Sequence, residues 1–153
     1  VAIDWEILQK RHMLDALTRK AIEQLLAEVA LKYAKEQHER DLNAAWDAFE
    51  DNGGSEDDWD PEPFDKERAA REARGLARDA LSNDLDIAME ASRTLRDMGV
   101  DAVLVMAEAQ LKLGKSVLRI DEDIRILERR RREINKDYKT LKTCLLYAPA
   151  RIQ

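Results

Sequence analysis

Cysteine is almost missing from this 153-residue chain: Cys144 is the only one. That excludes an internal disulfide and a cysteine-based metal site. Proline and glycine are scarce as well, three and five residues, so few points interrupt regular structure. Aromatic residues make up 5%, and any core has to be built mainly from aliphatic side chains and alanine. No apolar run approaches the roughly 18 residues that cross a bilayer, and the opening VAIDWEILQKRH lacks the basic-then-apolar order of a secretion signal. The expectation is a cytoplasmic protein, or one enclosed in a viral particle, that does not engage membranes.

The motifs of common catalysts are missing too. There is no glycine-rich phosphate loop, no Gly-x-Ser-x-Gly elbow and no Glu-x-x-His pair. His12 and His38 stand 26 positions apart, some 39 Å along one helix, too far to share an ion. The chain is therefore expected not to be an enzyme, with no catalytic residue, metal, cofactor or small-molecule substrate.

What is present is charge: 38% of residues are Asp, Glu, Lys or Arg, above the roughly 25% of an average domain. Set among Ala and Leu, this composition predicts long helices with wide solvated faces. The charge is unevenly spread. Residues 1–63 hold seven cations against sixteen anions, residues 64–100 seven against eight, and residues 101–153 twelve against eight. An acidic front is joined to a basic tail.

One stretch breaks the helical pattern. Residues 51–63, DNGGSEDDWDPEP, combine Gly-Gly, two prolines and six acids, and read as an exposed acidic loop. Trp59 and the following Phe64 offer aromatic anchors for docking on a basic partner. Before the loop lies a helix over 1–50, with apolar patches at Leu14 to Tyr33 and at Leu42 to Phe49 around a polar middle. After it, a helix is expected over 64–98, with Pro63 at its first turn, a kink at Ser82-Asn83 and Gly99 as its stop. A third helix is expected over 100–148, ended by Pro149, with 149–153 a tail. The Gly99 turn has the look of a helix-turn-helix, but Asp-Ala-Val-Leu-Val-Met carries almost no donors for base edges, which favours an ordinary helical hairpin.

The third helix carries the clearest pattern. Alternating steps of three and four place Val103, Met106, Gln110, Leu113, Val117, Ile120, Ile124, Leu127, Arg131, Ile134, Tyr138, Leu141 and Leu145 on one line for six heptads. Such a line marks a coiled-coil seam, and the eleven apolar members are the expected contacts to a second copy or a partner helix. Leu104, Leu111 and Leu118 add a second stripe, which places 100–118 inside a bundle, with the remainder a thinner coil. In a parallel self-pair Asp123 would face Glu128, which repels, and Asp137 would face Lys142, which attracts, so pairing with the first helix, an antiparallel copy or another protein fits at least as well. The expected architecture is all-α: an elongated bundle of three long helices, the second kinked, the last a coiled coil.

Opposite the seam, Arg125, Arg129, Arg132, Lys136 and Lys139 recur at steps of four and three. They line up five cations over roughly 21 Å. The row suits a phosphate backbone or, equally, plain solvent. Cys144 beside the seam is expected to be partly buried. Taken together, the residues point to a helical assembly protein, a scaffold, adaptor or complex subunit working as a homo-oligomer or within a larger assembly. The alternative is a nucleic-acid accessory of the DNA-packaging or replication kind.

Overall fold

A computed structural model describes residues 2–147. The single residue before them, the expected Pro149 stop and the 149–153 tail lie outside the described residues. Among the described residues the protein is all-α, with four helices, α1 (Ala2–Asp51), α2 (Lys66–Ala80), α3 (Leu85–Asp97) and α4 (Ala102–Tyr147), one 3-10 turn at Glu56–Asp58, and no strand.

Where one kinked helix was expected over 64–98, there are two. Leu81, with φ −102° and ψ 12°, ends α2. Asp84 then restarts the chain: its carboxylate accepts from the backbone N–H groups of Asp86 and Ile87 at 3.0 and 3.4 Å. A capping aspartate beside two poor helix formers makes a stop and a new start more favourable than a bend. Pro63 also falls outside the helix that it was expected to open. Asp65 caps α2 instead, accepting from Arg68 N–H at 2.9 Å.

The chain divides into two compact units, Arg19–Lys112 and a second made of Val1–Thr18 with Leu113–Gln153. In the first, Leu25, Leu26 and Ala30 of α1 pack with Ala73 and Ala77 of α2, Leu95 of α3, and Val105 and Ala109 of α4. Small side chains bring the helices close and bury modest apolar area per residue. Gly99, at φ 80°, makes the turn between α3 and α4, and Asp101 caps α4 by accepting from Val103 N–H at 2.8 Å.

The 51–63 segment is less open than its composition suggests. Trp59 stands edge-on to Trp46, ring centroids 5.2 Å apart at 84°, and 5.1 Å from Phe49. The chain approaches so closely that a side chain at Gly54 would run into the Phe49 ring. Phe64 meets His38 at 5.3 Å. The aromatic anchors expected to await a partner are half-buried within the unit, while Glu56, Asp57 and Asp58 stay exposed.

In the other unit the first turns of α1 run antiparallel to α4. Ile7, Ile120 and Ile124 are buried together, with Ile3, Leu14, Leu17 and Leu127 packed around them. Burying an isoleucine of this kind contributes about 1.5–3 kcal/mol.

α4 is not the uninterrupted helix that its heptads imply. Gly114 has φ 33° and ψ −111°, outside the helical region, a backbone state open to glycine and strained for other residues. The buried positions change line there. Before Gly114 they are Val105 and Ala109, whereas Val103, Leu104 and Met106 are exposed; Leu111 and Leu118 are exposed as well. The expected burial of 100–118 inside a bundle thus holds for one narrow face only, because α1, α2 and α3 meet α4 along the Val105 line.

Candidate interaction surface

From Val117 onward the heptad seam and the buried face coincide. Val117 and Leu127 are half-buried, and Ile120 and Ile124 are buried against α1. The charges beside the seam are answered from the same helix. Lys10 donates to Asp123 at 2.8 Å and Arg11 to Glu128 at 2.6 Å. The polar interruption of the seam, Arg131, donates to Asp4 at 3.2 Å. The Arg131 guanidinium is the main reason that the Asp4 carboxyl lies below its ordinary pKa, and the Lys10 ammonium does the same for Asp123. These pairs are exposed to water, so they set register and direction more than stability.

Beyond Arg131 the cover ends. Ile134 is 50% exposed, Tyr138 66%, Leu141 63% and Leu145 77%, and Leu146 and Tyr147 are exposed beside them. Ile134, Tyr138, Leu141 and Leu145 line up at steps of four, three and four; Ile134 borders Ala2 and Ile3 of α1, and the other three lie bare among the described residues. Such a narrow apolar line is the form that coiled-coil helices recognise. Cys144 next to it is exposed, correcting the expectation of a partly buried thiol. A helix face buries its neighbours only where another helix lies on it.

The five cations of the opposite row are not equivalent. Arg125 is paired with Asp121 at 2.9 Å. Arg129, Arg132, Lys136 and Lys139 make no ion pair within the described residues, and Arg132, Lys136 and Lys139 line a shallow groove with Asn135 and Thr140. His12 is exposed and His38 half-buried. No group of three or more His, Cys, Asp or Glu able to hold a metal ion occurs among the described residues, and no helix there is long and apolar enough to cross a membrane.

The chain matches no protein-family model, no curated protein and no solved structure. Its chemistry has to be read from its own residues.

Two features escaped the sequence reading. Pairing with the first helix was open, but not its first residues: Ile3 and Ile7 cover the seam, and their signal was present, since Ile3, Ile7, Leu14 and Leu17 continue one a/d line with Lys10 at the intervening position. The second is an open apolar groove of about 660 Å³ in the 19–112 unit, lined by Ile22, Leu26, Leu81, Leu95, Val105 and Met106, with Ser92, Arg96 and Asp101 as its polar lining. It forms between helices whose order along the chain does not announce it. The lining supplies apolar surface, one hydroxyl, one guanidinium and one carboxylate.

Proposed function

We propose that this protein is a non-enzymatic helical assembly protein, a scaffold, adaptor or complex subunit, that takes up a partner helix on the bare end of the α4 seam. One observation carries the reading. A single a/d line is covered by the chain's own helix up to Leu127 and continues uncovered through Ile134, Tyr138, Leu141 and Leu145. Exposed apolar residues scattered singly need no explanation, but four at heptad spacing form a surface with a defined complement.

The test uses a three-heptad helical peptide with leucine at every a and d position and uncharged flanks. Fluorescence anisotropy should report binding to the whole chain and its loss in Leu141→Asp. A peptide that binds neither protein, with both sedimenting as single chains across micromolar concentrations, would remove the reading.

A second reading is favoured by a separate observation: Arg132, Lys136 and Lys139, which make no ion pair within the described residues, line one groove with Asn135 and Thr140. There the row grips a nucleic-acid backbone. Random duplex and single-stranded DNA at about 50 mM salt, where non-specific binding is strong, should shift with the chain and not with Arg129→Glu/Arg132→Glu. No shift at that salt concentration means that the row is simply solvated.

A further inference from the structure

Where apolar lines are alike, the residues beside them decide which helices pair and in which direction. Heptad spacing puts Tyr138, Leu141 and Leu145 at a, d and a positions, all exposed, with Asp137 at g and Lys142 at e beside them. Asp137 and Lys142 are exposed too and make no ion pair within the described residues. Arg129, Arg132, Lys136 and Lys139 fall at b and f, on the outer face of such a coil.

In a parallel pair of copies, a g residue faces the e residue five positions on in the partner helix. Two such contacts along α4 carry charge on both sides: Asp123 with Glu128, which repels, and Asp137 with Lys142, which attracts. The structure separates them. At the first, α1 of the same chain answers both acids, Lys10 donating to Asp123 at 2.8 Å and Arg11 to Glu128 at 2.6 Å. Only the attractive contact falls on the bare stretch, and two-fold symmetry supplies it twice. An antiparallel pair sets g against g and e against e. Asp137 would then meet Asp137 or Cys144 of the copy, and Lys142 would meet Lys142 or Asn135, which gives like charges or no charge pair.

We infer that the stretch from Tyr138 to Leu145 pairs with the same stretch of a second copy, parallel and in register, with Asp137 of each chain facing Lys142 of the other. The inference rests on the assembly reading above and names the partner. Three a/d layers are a small contact beside the roughly 1,200 Å² at which stable interfaces begin, so the dimer is weak and reversible.

Sedimentation equilibrium of the whole chain, from micromolar to millimolar concentration at low salt, should show monomer and dimer in exchange, and Leu141→Asp should stay monomeric. Asp137→Lys and Lys142→Asp should each weaken the dimer about tenfold, because two attractions become two repulsions, each a fraction of a tenfold step. The double variant Asp137→Lys/Lys142→Asp should recover the parent's association, and so should an equimolar mixture of the two single variants. All three positions are exposed, so helicity by circular dichroism should not change. Direction is read separately. In a glutathione redox buffer Leu141→Cys/Cys144→Ser should form a disulfide-linked dimer, since d faces d in register, and Thr143→Cys/Cys144→Ser, on the outer face, should not.

A dimer lost in Leu141→Asp but indifferent to the charge reversals, or one that cross-links equally well from position 143, overturns the parallel copy and leaves the assembly reading standing. So does a chain that stays monomeric yet binds the leucine peptide, because its partner is then a different helix. A dimer that survives Leu141→Asp forms elsewhere on the chain and overturns the inference as well. A chain that stays monomeric and binds no peptide removes both.

Discussion

The two halves of the α4 seam beyond Gly114 are alike in residue type and unlike in environment. Ile124 is 7% exposed and Ile134 is 50% exposed, although both are isoleucines on one a/d line of one helix. The difference lies in α1, which reaches Ile124 and leaves the stripe beyond Arg131 bare. A heptad pattern states which face of a helix can be buried; another element decides which part of that face is. The covered half belongs to the fold, and the bare half stays exposed.

The sharpest way to break this comparison is to shorten the same side chain in both halves. Ile124→Ala should destabilise the protein by about 2–5 kcal/mol in urea denaturation, through lost burial and the cavity left against Ile7 and Ile120. Ile134→Ala should change stability by less than about 0.5 kcal/mol in the isolated chain. Equal costs would mean that the bare half is covered in solution, by a copy of the chain.

Gly114 offers the next largest effect, because it separates the two lines of burial on α4. Its φ of 33° with ψ −111° strains any residue that has a Cβ, and no neighbouring atom lies close enough to oppose the new methyl group. Gly114→Ala should therefore cost about 1–3 kcal/mol through backbone strain alone. A stabilised variant with higher helicity would show that the backbone at this position prefers regular helix.

The sequence carried the helical class and the face of α4 that is buried from Val117 to Leu127, because both depend on local periodicity. It carried less of what depends on meeting partners. Val103 and Met106 fit the heptads as well as Ile120 does, yet Val105 and Ala109 are buried in their place, since helix packing within residues 19–112 selects the line one position before Met106 and Gln110. Trp59 looked free because its neighbours in sequence are acids and prolines; its neighbours in space are Trp46 and Phe49. Capping was partly legible. Asp84 beside Ser82-Asn83 is a start signal, and reading the pair as a kink overlooked it. The surface proposed for a partner is an exposed stripe with Asp137 and Lys142 beside it, and its limits required knowing where α1 lies.

The smallest effect concerns acid, and it tests the covered half by its flanks. The Asp4 and Asp123 carboxyls lie below their ordinary pKa when folded, held there chiefly by Arg131 and Lys10. A depressed pKa in the folded state means stability that is present above the unfolded value and lost as pH falls through the folded one. Asp123→Asn should therefore melt slightly below the parent chain at neutral pH, and the gap should close between about pH 5 and about pH 2 as the parent's carboxylate takes up its proton. Because both pairs are exposed, the gap should also shrink with added salt. A gap that persists in acid would mean that Asp123 acts through packing and not through charge. Charge would then play no part in setting the register of α1 on α4.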